Sequence, residues 1–442
     1  GVLYPEKTSY PGVDYFLYHS DNTLISPFKE AATPAARGHR GYSPPEEAVR
    51  ATGLGGPIYR PMRQKFEAEG GKTVEQSEVR QLILDRSGAV IGLKALEFID
   101  APEQAAKHRD LLNRASAIQA KWLPIIPGSG FFLKRAEKLI QRARDLEDTF
   151  RKPVYYRARR GVVLSAGGFI FNREMVRHYA PDFKDAFPLG TTADQGDGIR
   201  LGQTAGGAVG NMERASAWRF INPPIAWSQG VVVNMRGERF VNESAYGAKL
   251  GTDIATEQDG KAWSIVDARL AKESLAQIKS PGVLPFQRQL AQLNFRFAAK
   301  KARSIKALAQ KIGIDPGALE KTVSDYNARS GSGDPDPFGK SPGDIAKLEA
   351  APYYAINIGV SAPLFPCPTI TLGGLKVNEK SGRVLDAEGA EIQGLYAAGR
   401  TAIGICSWNY LSGLSIADCV YSGRRAARHA CGVNLPAEAV SD

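Results

Sequence analysis

A chain of 442 residues, 43% hydrophobic and 23% charged, can bury a large core and should hold two or more lobes. No run reaches the ~18 consecutive apolar residues of a membrane span, and the opening GVLYPEKTSYPG lacks the basic-then-apolar pattern of a signal peptide. The net charge of +11 comes without a basic motif interleaved with aromatic rings, which argues against nucleic acid as a partner.

The chain opens on Gly1 rather than methionine, as a processed or partial chain would. Residues 1 to 50, rich in Tyr, Pro and Gly, read as loops and short extended pieces. A helix is expected near 57 to 68. Strands follow at VRQLILD (79 to 85) and VIGLKALEF (90 to 98), joined by a turn at Arg86-Ser87-Gly88. Leu111, Ala115, Ile118 and Trp122 then recur at helical spacing. A second stripe, Ala136, Leu139, Ile140, Ala143 and Leu146, follows the break WLPIIPGSGFFL. Together they predict a helical hairpin over 101–152, a stretch with eleven Lys and Arg against six Asp and Glu. Two readings stay open for it: packing on its own domain or a second subunit, or a peripheral membrane foot through 122–133, with Lys121, Lys134 and Arg135 as basic shoulders.

VVLSAGGF (162 to 169) reads as a buried parallel strand ending in Gly167-Gly168. GDGIRLGQTAGGAVG (196 to 210) reads as a helix from Asp197, with Gly206 to Gly210 late in that helix for packing. GVVVNMRGERFVNE (230 to 243) reads as a hairpin turning at Arg236-Gly237. Residues 261 to 330 are expected to be mainly helical and to end in the loop SGSGDPDPFGK. Strands return in YYAINIGV, GGLKVNEKSGRVLD and GLYAAG, before a last helix that starts after NYLSGLS. Strands on both sides of a helical middle suit one α/β domain interrupted by an inserted lobe. Cys367, Cys406, Cys419 and Cys431 show no C-x-x-C spacing and read as buried or free thiols, pointing to a reducing, cytoplasmic compartment.

VVLSAGG and LYAAGR are each a short strand ending in small residues, where backbone can approach a ligand at the carboxyl end of a sheet. With GDGIRLGQTAGG, GERFVNE, DYNARSGSGDPDPFGK, PYYAINIG and TLGGLKVN, the chain resembles the flavoproteins grouped with fumarate reductase flavoprotein subunits and 3-ketosteroid dehydrogenases. That resemblance implies a Rossmann-like FAD-binding domain of the glutathione-reductase type, interrupted by an α+β substrate-binding lobe. It further implies a division into 1–211 (first part of the FAD domain), 212–355 (substrate or capping lobe) and 356–442 (return of the FAD domain). The G-x-G-x-x-G unit with which the family opens has no counterpart in this chain, so an upstream segment or a second polypeptide is expected to complete the pyrophosphate site.

Relatives that handle dicarboxylates place a histidine near Ile370 or Thr371, an arginine near Tyr410 and another near Tyr246. None of those charges is present here, and a neutral ketone fits better. The stretch AAGRTAIGICSWNYLSGLSIADC is similar to the Δ4-(5α) type of 3-ketosteroid dehydrogenase. The resemblance then implies proton removal beside the C3 ketone and hydride transfer to flavin N5. Tyr410, Ser412 and Tyr246 are the candidates for proton relay and ketone contact, with base and polariser not divided among them. Ala166, Gly167, Gly168, Asp197, Gly373, Gly374, Gly399, Arg400, Gly413, Leu414 and Ser415 are the candidates for FAD contact. Backbone N–H groups of Leu414 and Ser415 would serve the pyrimidine edge. Arg400 stands where many flavoproteins carry an acidic residue. Trp218, Phe220, Trp227 and Trp408 are candidates for an apolar slot, and His39 for an approach to FAD; no metal site is expected. Alternatives are a Δ1-dehydrogenase or another flavin ene-reductase and, from a different class, a non-catalytic subunit of a larger complex.

Overall fold

The structure, a computed structural model, describes residues 56–122, 128–221, 224–279, 285–410 and 414–433. It also gives the backbone of three short antiparallel strands, β1 (Val2–Leu3), β2 (Tyr15–His19) and β3 (Gly38–Gly41). Helix α1 (Gly56–Ala68) leads into an antiparallel sheet of β4 (Glu78–Leu84), β5 (Val90–Phe98) and β6 (Arg151–Arg157). The β4–β5 turn forms because Asp85 Oδ1 accepts from the N–H groups of Ser87 and Ala89, at 2.8 and 3.1 Å.

Between β5 and β6 the chain leaves as the expected hairpin, α2 (Pro102–Lys121) and α3 (Ser129–Phe150). Leu111, Ala115, Ala136, Leu139 and Ala143 form a buried seam of its own, in the two stripes that the 3.6-residue period marks. Helix α3 begins at Ser129, so the break is shorter than its sequence suggests. Residues 123–127 lie outside the described residues.

The sheet that positions the site joins β7 (Val162–Leu164), β17 (Arg383–Leu385) and β18 (Glu391–Ala397). β7 runs parallel to β18, Leu395 opposite Val162 and Ala397 opposite Leu164. Val162, Leu164, Leu395 and Ala397 share a core with Leu82, Val90, Leu375 and Val384. The expectation of a strand buried on both faces needs correction. Val163 is 39% exposed between buried Val162 and Leu164, and Ser165 and Ala166 are exposed, so one face of β7 is uncovered; β7 is also the edge strand among the described residues.

Helix α4 (Arg173–Tyr179) and strand β8 (Phe187–Pro188) precede α5 (Asp197–Thr204). The glycine cluster after α5 is not helical. Gly206 sits at φ +91°, a left-handed conformation that ends the helix, and Val209–Gly210 form β9, paired with β16 (Gly374–Leu375). β10 (Ala215–Ala217) pairs antiparallel with β15 (Pro368–Thr371), which runs parallel to β8.

A four-stranded antiparallel sheet orders β11 (Val231–Val233), β12 (Trp263–Val266), β14 (Tyr353–Asn357) and β13 (Lys300–Ala302). Helices α6 (Gly247–Glu257), α7 (Ala268–Gln277), α8 (Pro285–Leu293), α9 (Ile305–Ile312) and α10 (Pro316–Arg329) pack around it. Its core includes Trp227, Ile265, Leu270, Leu308 and Tyr326. The 261–330 stretch is therefore mainly helical, with two strands added. The turn at Arg236-Gly237 exists, held by Asn234 Oδ1 accepting from the N–H of Arg236 and of Glu238 and by Gly237 at φ +81°. It closes on a single bridge, Val233 to Arg239, and the full partner of β11 is β12.

Two sequence motifs meet in one buried ion network. The Arg239 guanidinium donates to Glu243 Oε1 and Oε2 at 2.9 and 2.8 Å and to Asp336 Oδ2 at 2.7 Å. Lys340, with a fully buried ammonium, donates to the carbonyls of Ser228 and Gly230 and to Tyr326 Oη, and lies 3.1 Å from Glu243. GERFVNE and DPDPFGK are thereby tied together, with each charge partnered as burial requires. The last helix is α11 (Leu414–Ala430). No described helix is long and apolar enough to cross a membrane.

Candidate active site

Three local devices converge where β7 and β18 end. After β18 the chain makes a 3-10 turn, Gly399–Thr401, with Gly399 at φ +59° and its N–H donated to Ser422 Oγ at 2.9 Å. After β7 comes the Gly167-Gly168 turn. Thr401 Oγ1 donates to the Gly167 carbonyl at 3.1 Å, and Thr371 Oγ1 accepts from the N–H of Phe169 at 3.0 Å. The third device is α11, whose first turn carries Leu414 and Ser415.

A small pocket lies among them. It is lined by Arg400, Tyr410 and Ser415 from the expected set, with Ile370, Leu372, Ala402, Gly404, Cys406 and Asp418. Tyr410 Oη and Ser415 Oγ are hydrogen-bonded at 2.9 Å. Ser415 was expected to act through its backbone, and its side chain adds a second hydroxyl. Ser412 and Gly413 lie outside the described residues, as does the His39 side chain.

Tyr246 precedes α6, far from Tyr410 in sequence, yet both rings pack on one indole. The Trp218 ring centre is 5.8 Å from that of Tyr246 and 5.0 Å from that of Tyr410, with Phe220 at 5.3 Å. Trp218 Nε1 donates to Ser216 Oγ at 3.0 Å, which fixes the plane of the indole. Of the other aromatic candidates, Trp227 belongs to the core of the four-stranded sheet. Trp408 is 69% exposed, beneath the Arg214 guanidinium.

The glycines divide by what they admit. A Cβ on Gly167 would strike the Asp194 carboxylate, and one on Gly168 would meet Thr371 and Arg400. The Gly167-Gly168 turn therefore lets an ion pair approach the backbone: Arg400 Nη2 donates to Asp194 Oδ2 at 2.6 Å, and Asp194 is 2% exposed. Gly373 packs on the backbone of Asn211 and Met212, and Gly374 on that of Thr401 and Ala402. Asp197 pairs with Arg200 at the exposed start of α5, and Ala166 is exposed at the end of β7.

Asp194 and Asp418 are the functional-site neighbours that sequence reasoning missed. Asp194 is a lone acid in a loop, with no periodicity to mark it. Asp418, three residues after Ser415 and thus on the same helical face, carries a signal in its spacing. Burial pushes the Asp418 carboxyl above the usual range, opposed by the Ile405 N–H at 3.4 Å and by the Arg425 charge. No group of three or more potential metal ligands gathers among the described residues.

A family model described as an FAD binding domain matches residues 136–416. The chain belongs to that family. It is 33% identical over 403 residues to a 3-oxo-5-alpha-steroid 4-dehydrogenase of Comamonas testosteroni, covering 89% of this chain and 71% of the relative. A probable fumarate reductase of Shewanella frigidimarina is 29% identical over 283 residues, or 61% of this chain and 45% of that protein. Among solved structures, the chain is similar to the 3-ketosteroid-delta4-(5alpha)-dehydrogenase from Rhodococcus jostii RHA1 in complex with 4-androstene-3,17-dione. That match has a TM-score of 0.70 and 26% identity, covering 93% of this chain and 71% of the other. The family's fold is mixed α/β, as the chain order of strands and helices leads one to expect.

The residues present fit FAD on structural grounds. Among the described residues Arg400 Nη1 is buried without a partner beside Gly168, a donor left over after the ion pair with Asp194. A buried guanidinium N–H without an acceptor is costly, and a flavin oxygen is a suitable partner. The N–H groups in the first turn of α11 are the same kind of donor.

Proposed function

We propose that the chain is the catalytic part of an FAD-dependent 3-ketosteroid dehydrogenase acting beside the C3 ketone, with the Δ4-(5α) bond preferred. One observation carries the choice of a neutral substrate. Arg400 is the pocket's one cation among the described residues, and its charge is committed to Asp194. A dicarboxylate would bring two charges with no free cation to meet them, whereas a ketone needs only hydrogen-bond donors.

In this reading the site would hold FAD, which would supply the acceptor for the hydride that leaves the β carbon. The chain's own residues manage the proton from the α carbon. Tyr410, backed by Ser415 Oγ at 2.9 Å, forms a two-hydroxyl relay. The Trp218 ring packs against both Tyr246 and Tyr410, so the two candidate phenols share one aromatic cluster, of which Tyr410 lines the pocket. Arg400, Leu414 and Ser415 hold the cofactor, the latter two through the helix start. For a 5α-saturated 3-ketosteroid, a proton leaves C4 and a hydride leaves C5, giving the Δ4 enone.

The proposed arrangement is a Rossmann-like FAD domain, 1–211 and 356–442, interrupted by a capping lobe at 212–355. The four-stranded sheet with its own core supports that cap. The edge position of β7 supports a further part. A parallel strand from an upstream segment or second polypeptide, carrying the Gly-rich phosphate turn, pairs with the edge of Val162–Leu164.

The test is to purify the chain with any co-purifying partner and add a 5α-saturated 3-ketosteroid under anaerobic conditions. Flavin absorbance should bleach. A flavin spectrum that stays unchanged across several such steroids removes this reading.

A further inference from the structure

The α2–α3 hairpin has no part in the pocket, and its two ends differ in character. Its seam of Leu111, Ala115, Ala136, Leu139 and Ala143 is buried within the hairpin itself. Each helix is about 30 Å long at 1.5 Å per residue, and the hairpin joins the remaining chain through β5 and β6 at its base.

Charge is distributed along it unevenly. Residues 116–142, the far half, hold five cations (Lys121, Lys134, Arg135, Lys138 and Arg142) against one acid, Glu137. The rest of 101–152 holds six cations against five acids. None of the five distal cations pairs with an acid among the described residues, and all five are exposed. At the base the pattern reverses: Arg151 bridges Glu78 and Glu147, and His108 meets Glu147.

Aromatic rings gather at the same far end. Trp122 stacks on Phe132 with ring centres 4.0 Å apart and planes within 5°, and Phe131 sets its edge to Phe132 at 5.4 Å. Phe131 is 71% exposed, in the first turn of α3. A stacked aromatic pair beside a third ring left in water, on the half of the hairpin whose five cations lack acidic partners among the described residues, suits the boundary between headgroups and acyl chains.

We infer that the far end of the α2–α3 hairpin docks on an anionic lipid surface, with Phe131 entering the interface and Lys121, Lys134, Arg135, Lys138 and Arg142 meeting the headgroups. Charge complementarity selects this occupant over a second copy of the chain, whose own hairpin would bring five like charges against these five. The attraction is screened within a Debye length of ~10 Å at moderate salt, so binding depends on ionic strength. The inference stands apart from the catalytic reading, because lipid binding needs neither flavin nor steroid.

The test is co-sedimentation of the full chain with phosphatidylcholine vesicles, with and without about one third phosphatidylserine. Binding to the anionic vesicles, weakened at least tenfold by high salt, by Phe131→Ser and by the pair Lys134→Glu and Arg135→Glu, is the expected result. Both sites are exposed and outside the seam, and unchanged helical circular dichroism confirms folding. Absence of binding, equal binding to neutral vesicles, or binding that the variants leave unaltered overturns the proposal. Self-association abolished by Phe131→Ser, without vesicle binding, overturns it as well and assigns the tip to a second copy.

Discussion

The hydroxyls of Tyr410 and Ser415 lie 2.9 Å apart across the start of α11, at the floor of the pocket. A phenol near pKa ~10 is a weak base alone, but a neighbouring hydroxyl can pass its proton on as charge shifts. Tyr410→Phe removes the phenol proposed to face substrate while keeping the ring on Trp218. The expected loss in the rate of flavin bleaching is about 10²–10⁴-fold, the usual size of a general acid–base contribution. Ser415→Ala leaves the phenol in place and should cost less. Flavin content of both variants should equal that of the unaltered chain. A Tyr410→Phe rate within a factor of about three would show that the relay runs elsewhere.

Arg400 and Asp194 form the second pair that joins distant segments. Asp194 is almost wholly buried, so Arg400→Ala leaves a carboxylate in the interior without its cation. Breaking a buried pair from one side costs about 3–5 kcal/mol, and Asp194→Asn, which leaves Arg400 able to find water, should cost less. Urea unfolding followed by tryptophan fluorescence measures both. Arg400→Ala should also lower flavin retention on gel filtration, because Nη1 is the donor left over for the cofactor.

The Arg239–Glu243–Asp336–Lys340 network gives an acid-sensitive stability. The Lys340 and Arg239 charges hold the Glu243 carboxyl below its usual range against the opposing effect of burial. Hydrogen bonds and charge from Arg239 do the same for Asp336. Both carboxyls bind a proton less readily in the folded chain than in the unfolded one. Their stabilisation is therefore complete above the unfolded carboxylate values of ~4 and is lost as pH falls through the depressed folded values. Glu243→Gln should lower the urea midpoint strongly at pH 7 and narrow its deficit as pH drops below about 4. A deficit that is constant from pH 7 to pH 3 would contradict this account.

Much of this was legible because local chemistry decides it. The hairpin seam follows from helical spacing, the β4–β5 turn from Asp85, and the start of α11 from NYLSGLS. The glycine cluster after α5 was misplaced, since small residues suit a helix face as well as a turn and only φ +91° at Gly206 separates the two. β7 read as buried because an apolar run does not reveal that one of its faces is left uncovered. Asp194 was invisible, since its partner is 206 residues away and no local pattern prepares the pairing. GERFVNE and DPDPFGK were each recognisable, yet nothing in either stretch says that Arg239 reaches Asp336.

Asp418 offers a prediction of opposite sign to Glu243. It is 7% exposed, its carboxylate accepts one long hydrogen bond from the Ile405 N–H at 3.4 Å, and burial raises its pKa. The folded chain holds this proton more tightly than the unfolded chain. The favourable contribution is thus complete below the unfolded value of ~3.9 and is lost as pH rises through the raised folded value. At neutral pH the charged carboxylate is a cost. Asp418→Asn keeps the shape and an acceptor for Ile405 while removing the charge, so it should raise the urea midpoint at pH 7 by the equivalent of about 1 kcal/mol. That gain should shrink as pH falls through the raised folded value and vanish below the unfolded value of ~3.9. An Asn variant less stable than the parent at pH 7 would show instead that the charge is needed where it stands, beside Ser415 and Arg400 in the pocket wall.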